Sequence, residues 1–598
     1  MVVPNWQPGA LATPEPKEAA VPLTSLLRRC RDAIGRCRVA QAVAASAVLV
    51  QLTLVAPAQA TPDRSVTAGA QIPSGAFAFA DNASTECTHH VAPNGSDANS
   101  GTSATAAWRT LGKAVASLQS GQTGCVHAGT YDTGTLDVAY SGRPDAPIAL
   151  VGVPGEARPV VRSTSDGALL SFGPRDAYWV VKGLDLNKNQ RNGATVQVLG
   201  TPASASDPNA GPAHHIAIRQ NNIRDGKSGA AVLIRHAATD VLVDGNAIYG
   251  HHQWVSGSNV AYARVNASYR RSDANAVNLE GTAGAQVTRV QIRSNDMHHN
   301  GGDGIQCIGV DDNAGPRSND PADLDAVDNR IHHNEEDAID IKSCQRVSIR
   351  GSRSPELAGS AAGNKLYGYR PTDHSADLPR NHSGGGAIVI HYFARAVEVK
   401  NTRIWDSCAG IGIGRDDKNG VKDVVIQRTL IFGLVSGTNC AGSGVRITLA
   451  ERVDMFHNTL ADIPNVAVRL SSDNGGAFSS SDVDVFNNII EVAGSGFWVD
   501  LYRARLSGFE GDRNVFWSAD GSTSHLALDF NRVSLPSWRS ATGQDATSRQ
   551  GNPLFVDQPA VNDYYTLAGS PARDAALDIV AASHCGTGPD IGFLESGC

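Results

Sequence analysis

Charge is scarce in this chain. Only 18% of its 598 residues are Asp, Glu, Lys or Arg, which excludes the charge-rich composition of a disordered protein. Positive charge is scarcer still, with 51 basic residues against 59 acidic ones and a formal net charge of −8. An acidic body lacks the electrostatic footprint of a nucleic-acid binder, so no nucleic-acid partner is expected. The C-x-x-C spacing is missing, which argues against a zinc ribbon. Past residue 60 no apolar run approaches the ~20 residues a membrane span needs, so the mature chain is expected to cross no membrane.

The one long apolar run, Val39 to Val55, follows a basic patch of Arg28, Arg29, Arg31, Arg36 and Arg38. It ends in Ala58-Gln59-Ala60, an A-x-A cleavage site. This predicts a signal peptide over 1–60 and a secreted, extracellular protein. An uncleaved signal anchor is the alternative, because the basic region is unusually long. Cleavage removes six basic and three acidic residues and takes the formal charge from −8 to −11. Eight cysteines then remain, and an even number in an exported chain suggests disulfides. Sequence order suggests the pairs Cys87–Cys125, Cys307–Cys344, Cys408–Cys440 and Cys585–Cys598.

Short alternating apolar segments are what the chain has in plenty. From about residue 145 they recur as "GATVQVLG" (193–200), "GAAVLIRH" (229–236), "NAVNLEG" (275–281), "GDGIQCIG" (302–309), "DAIDIKS" (337–343), "GAIVIHY" (386–392), "AGIGIGR" (409–415), "GSGVRIT" (442–448) and "NVAVRLS" (465–471). A second set, such as "HHIAIRQNNI" and "TDVLVDGNAI", lies between them. Period-two alternation means strands. Repeats of about 22–36 residues, with asparagines at the turns, predict a parallel β-helix in which stacked coils bury one continuous aliphatic core. A β-propeller would need regular blades of about 40–45 residues. The spacing is too irregular for that, with insertions at 251–274, 310–326 and 351–383.

Aligning the strands on their inward aliphatics sets Ile339 in register with Ile305 and Ile388, and Lys342 beside His391. Parallel strands stack ~4.8 Å apart, so Lys342 and His391 become outward neighbours on adjacent coils. Asp303 aligns with Asp337. Asp303, Glu335, Glu336, Asp337 and Asp340 would then form one acidic patch beside an amine and an imidazole. Acids this close raise one another's pKa, and a hard divalent cation removes the conflict. Oxygen-only ligands favour calcium over zinc. The alternative is a solvated acidic turn with a surface lysine.

Residues 89–153, including "AWRTLGKAVASL" (107–118) read as a capping helix, resemble the N-terminal cap of secreted right-handed parallel β-helix proteins, many of them polysaccharide lyases. "YTLAGSPARDAALD" with "PDIGFLE" resembles their closing segment. Glu335-x-Asp337-x4-Lys342-Ser343 is similar to the E-x-E-x4-K-S stretch of the chondroitinase B and alginate lyase family. That resemblance implies calcium-binding acids and Lys342 as base. Asp303 stands where that family has an asparagine ligand, and His391 where it has an arginine. Glu336-Asp337-Ala338-Ile339-Asp340 is similar to the D-D-x-x-D cluster of calcium-dependent pectate lyases, but their lysine lies one coil on, where this chain has Val389 or His391. "YGYRPTD" (367–373) faintly resembles a motif of alginate C5-epimerases, with Arg370 and Thr372 replacing its key Asp and His. The G-H-G and R-I-K motifs of the polygalacturonase-related hydrolases are absent.

The resulting expectation is an all-β, right-handed parallel β-helix divided into a signal peptide (1–60), a linker (61–86), an N-terminal cap with first coils (87–155) and the β-helix with its closing segment (156–598). Its expected activity is calcium-assisted β-elimination on an acidic, uronate-containing polysaccharide, by a monomer. A calcium ion on the uronate carboxylate would stabilise the enolate-like intermediate. It would also lower the pKa of Lys342, the base. His391, Tyr392 or water would protonate the leaving oxygen. Arg370 and Arg415 are candidate grips for substrate carboxylates, as are Arg380 and His382. Trp254, Tyr262 and Tyr269 are candidate stacking platforms for sugar rings. A non-catalytic glycan-binding β-helix, a glycoside hydrolase and an epimerase are the alternatives.

Overall fold

Alternating strands of three to seven residues account for most of the structure, a computed structural model. It describes residues 69–596 except 74, 85, 252–273, 311–315, 354–362, 371–385, 415–419, 438–439, 471–479, 502–505, 530, 558–562 and 580–583. The strands form three sheets of 14 strands each. Sheet A runs from His89–Val91 to Leu506–Asp512, sheet B from Thr130–Thr133 to Arg549–Gln550, and sheet C from Leu136–Asp137 to Asn531–Val533. Pairing within them is parallel except at the last step of sheet C. Successive strands enter A, B and C in turn, so the chain winds as a right-handed parallel β-helix.

The strands of sheet C that matter for the site are β1 (Val232–Arg235), β2 (Val277–Glu280), β3 (Ile305–Ile308), β4 (Ile339–Lys342), β5 (Gly386–His391), β6 (Ala409–Ile413), β7 (Ser443–Ile447), β8 (Val466–Leu470) and β9 (Phe497–Leu501). Ile305, Cys307, Ile339, Ile341, Ile388, Ile390, Ile411 and Ile413 all point inward and are buried. Each such aliphatic contributes roughly 1.5–3 kcal/mol on burial, but only because the next coil covers it.

The turn from sheet A to sheet B carries an asparagine ladder. Backbone N–H groups of Asn221, Asn246, Asn295 and Asn329 donate to the side-chain Oδ1 of Asn246, Asn295, Asn329 and Asn364 in turn, at 2.9–3.1 Å. The ladder reappears at Asn458, Asn488 and Asn514. Each amide thus satisfies a buried donor on the preceding coil that solvent cannot reach.

Three expectations change. The capping helix is shorter than 107–118 and spans Leu111–Val115, because Trp108 N–H instead donates to His90 O across a strand-like bridge. The insertion read at 310–326 ends earlier, because Ala322–Val327 is a strand of sheet A. The described part of 61–86 is no free linker. Gly69 N–H donates to Ala396 O and Ala70 N–H to Ser348 Oγ, and Gln71 N–H donates to Asp323. Further on, Phe79 sits in an apolar patch with Ala149, Val180, Ala217 and Leu242 on the outer face of sheet A. The segment is a strap along that sheet.

Three disulfides join Cys87–Cys125, Cys307–Cys344 and Cys408–Cys440. The signal peptide and Cys598 lie outside the described residues. Among the described residues no helix is long and apolar enough to cross a membrane.

Candidate active site

Sheet C holds the site because β3, β4 and β5 pair without a register shift. Ile305 stands opposite Ile339 and Ile339 opposite Ile388, which sets Lys342 directly against His391. With Ile339 and Ile341 inward, Asp340 and Lys342 face out. Asp340 bridges the two coils: Lys342 Nζ lies 2.6 Å from its Oδ2, and His391 Nε2 lies 2.8 Å from its Oδ1. The Lys342 side chain is 20% exposed and that of Asp340 only 5%, so the amine, not the carboxylate, is the group a ligand meets.

Asp303, Asp337 and Asp340 converge, with one carboxylate oxygen of each within 4.8 Å of the others, and all three are buried. A second ladder, of acids this time, brings two of them there. Asp303 N–H donates to Asn275 Oδ1 (2.6 Å), Asp337 N–H to Asp303 Oδ1 (2.9 Å) and Gly386 N–H to Asp337 Oδ1 (3.0 Å). Gln306 holds the other oxygen of Asp303 at 2.9 Å and receives a bond from Asn275 at 3.2 Å. Asn275 and Gln306 were missed by sequence reasoning. The signal for both was available: Gln306 is in register with Asp340, and Asn275 lies 28 residues, one coil, before Asp303.

The electrostatics follow from this crowding. Burial, then the charges of Asp303 and Asp340, push the carboxyl of Asp337 well above the usual carboxylate range. Burial also works against ionised Asp340, but the bond from His391 and the charge of Lys342 outweigh it and hold its pKa below normal. For Lys342, burial opposes the charge and Asp340 more than restores it, so the pKa is raised. Asp340 as neighbour thus favours the ammonium form of Lys342, while the lowering expected of a nearby cation is a separate effect.

Glu335 and Glu336 do not join the convergence. They are half-buried in the turn before β4, where their backbone N–H groups bond Asn300 O (3.0 Å) and Gly302 O (3.2 Å) on the previous coil. Tyr392 is beside the site, its ring 4.4 Å from that of His391. Arg370 is exposed at the end of a sheet B strand and paired with Asp406, so its charge is already engaged. Arg415, Arg380, His382, Trp254, Tyr262 and Tyr269 lie outside the described residues.

Three buried carboxylates beside one ammonium leave an excess of negative charge, and that donor set, oxygen only and converging, fits a hard divalent cation such as calcium. The bond to Asn275 and those from Gln306 and Gly386 also show that part of the cluster serves the fold.

No family profile and no curated protein matches the chain. Among solved structures, a mannuronic acid specific polysaccharide family 6 lyase from human gut microbiota aligns over 75% of this chain and 89% of its own, at 13% identity and a TM-score of 0.43. Pectate lyase Pel9A aligns over 86% of this chain and 97% of its own, at 16% identity and a TM-score of 0.39. A GH136 lacto-N-biosidase from Eubacterium ramulus aligns over 72% and 67%, at 12% identity and a TM-score of 0.42. Likeness at this level spans enzymes of different chemistry, and the functional reading rests on the geometry of sheet C instead.

Proposed function

We propose that the protein is a polysaccharide lyase that cleaves an acidic, uronate-containing glycan by β-elimination on the outer face of sheet C. The observation that carries this reading is the Lys342–Asp340–His391 bridge across two coils, beside the buried carboxylates of Asp303 and Asp337. Elimination needs one group to take the proton from C5 and another to give a proton to the C4 leaving oxygen, as the C4–O bond breaks and a C4–C5 double bond forms. An amine and an imidazole held by one carboxylate supply such a pair.

Asp303, Asp337 and Asp340 are the residues that would hold calcium. When bound, it would supply charge withdrawal from the uronate carboxyl group. Lys342 is the base in this reading. It must first lose to solvent the proton that Asp340 favours, and a cation held by Asp303, Asp337 and Asp340 would weaken that preference. His391, backed by Asp340, then gives its proton to the leaving oxygen, with Tyr392 next to it.

The raised pKa of Lys342 favours a second assignment within the same reaction. Here His391 takes the C5 proton and the Lys342 ammonium protonates the leaving group. Incubation with alginate, pectate and glycosaminoglycan, with and without chelator, tests the class. A lyase forms an ultraviolet-absorbing unsaturated product, and calcium dependence appears as its loss on chelation. New reducing ends without that absorbance would make the protein a hydrolase.

A further inference from the structure

Sheet B turns two histidine pairs outward on consecutive coils. Its strands Asp296–His298 and Arg330–His332 pair with His298 opposite His332, and His299 and His333 follow at the corner. Met297 and Ile331 point inward and are buried, so the histidine that ends each strand faces out. Like rings lie over like: His298 on His332 at 5.0 Å and His299 on His333 at 5.5 Å, nearly parallel in both cases. Within each coil the two rings are perpendicular, and their Nδ1 atoms are 2.8 Å apart.

Stacking explains only half of this arrangement. His298 and His332 belong to a column of rings that runs from Tyr249 to Tyr367 and Trp405. His299 and His333 stand outside that column, at corner positions with φ of 54° and 52°. The coils on either side have Gly250 and Gly368 there, at φ of 72° and 79°. A left-handed backbone favours glycine, so the turn does not call for the imidazoles. Gly368 makes room for one of them, because a Cβ on it would lie 2.7 Å from the His333 ring.

Asp296 sets the tautomer of one pair. Burial works against its charge, but the bond from His332 and the charge of Arg330 outweigh it and lower its pKa. An ionised carboxylate only accepts. His332 therefore donates from Nε2 to Asp296 Oδ1, at 3.1 Å, while Arg330 holds the other oxygen at 3.2 Å. With its proton on Nε2, neutral His332 keeps a lone pair on Nδ1, aimed at Nδ1 of His333. A carboxylate on the far nitrogen is the usual backing of a metal-binding imidazole. At the roughly 2.0–2.1 Å of a metal–imidazole bond, two nitrogens 2.8 Å apart subtend nearly a right angle at an ion. That is the cis angle of a tetragonal ion, Cu(II) or Ni(II), and it is too narrow for tetrahedral zinc.

We propose that His332 and His333 chelate a tetragonal divalent transition-metal ion through their Nδ1 atoms, with Asp296 as the positioning carboxylate and water completing the coordination. His333 shifts its proton from Nδ1 to Nε2 as the ion enters, so both ligands are neutral imidazoles. The pair one coil earlier, His298 and His299, repeats the spacing, but Asp296 bonds His332. The site lies on sheet B and needs no lyase activity.

The test strips the protein with chelator, returns it to excess calcium so that the acids of sheet C are occupied, and titrates it with Cu(II). Wild type, His299→Gly, His333→Gly and Asp296→Ala are compared by melting, calorimetry and electron paramagnetic resonance. Wild type is expected to show a tetragonal signal split by two nitrogens at one equivalent. Both glycine variants should melt as wild type, since the neighbouring coils carry glycine at the same corner. His299→Gly should bind as wild type does. His333→Gly should bind at least about tenfold more weakly, as should Asp296→Ala, which keeps both imidazoles. No nitrogen splitting in wild type, or equal affinity in wild type and His333→Gly, overturns the site. If His333→Gly fails to fold, Asp296→Ala decides, and an unchanged affinity there overturns it.

Discussion

Sheets A and C are built from the same coils, yet their outer faces handle charge in opposite ways. On sheet A, in the coils from Thr239 to Arg350, acids meet arginines on the next coil: Asp240 with Arg289 (2.6 Å), Asp323 with Arg346 (2.8 Å) and Asp325 with Arg350 (2.8 Å). On sheet C three acids crowd one amine, and two coils later the face carries only glycine. Matched charge holds coils together and leaves nothing for a ligand. Unmatched, buried charge costs stability, and in these coils that imbalance lies on sheet C.

The largest expected effect comes from removing the amine. Lys342→Ala should lower turnover by about 10²–10⁴-fold under conditions where the variant is folded by melting, whereas Arg346→Ala on sheet A should leave turnover unchanged. Lys342→Arg separates the two proton assignments. A base cannot be a permanently charged guanidinium, so an arginine variant with near-normal activity would move the base to His391.

Next is the disulfide beside the site. Cys307 lies on β3 and Cys344 just after β4, closing a loop of 37 residues. Cys307→Ser with Cys344→Ser should cost about 2–4 kcal/mol in urea unfolding. A smaller loss would mean that stacking alone fixes these coils. Thiol counting on denatured, unreduced protein should find Cys87, Cys125, Cys307, Cys344, Cys408, Cys440 and Cys585 unreactive.

Asp337→Asn probes the crowding itself. The folded pKa of Asp337 lies above its unfolded value, so in chelator its contribution is favourable at low pH and is lost as pH rises through the folded pKa. The asparagine variant should therefore melt higher than wild type at neutral pH in chelator, while keeping an Oδ1 for Gly386 N–H. It should also lose most of the calcium-induced rise, which for wild type is about 2.7 kcal/mol at a hundredfold excess over Kd. Equal melting of wild type with calcium and with chelator would remove the cation from the site.

Smallest is a charge pair on sheet A. Arg350→Ala removes a guanidinium whose side chain is 35% exposed, and about 1 kcal/mol or less should be lost. A loss comparable with that of the disulfide would erase the contrast between the two faces.

The coil register was legible in the sequence because a period of two has only one solution once the inward aliphatics are chosen. Ile305, Ile339 and Ile388 fixed Lys342 opposite His391 without knowledge of any loop. What was not legible is where side chains turn. Glu335 and Glu336 are adjacent to Asp337 in the chain, but the corner before β4 directs only Asp337 toward Asp303 and Asp340. The protonation of Lys342 depends on both oxygens of Asp340 being spoken for, which spacing does not encode. The strap was read as a linker because a segment that packs on another element's outer face has no periodicity of its own.

That strap has a consequence for the order in which the molecule is made. A stack of coils can form progressively as the chain emerges, each coil laid on the last. Gly69, however, docks on Ala396, and Ala70 on Ser348. The residues that leave the ribosome early must therefore wait, undocked, until more than 300 later residues have been synthesised and wound into place. An early stretch of the chain thus settles only after the middle coils have formed, and its arrival fastens coils that were until then held only by their immediate neighbours.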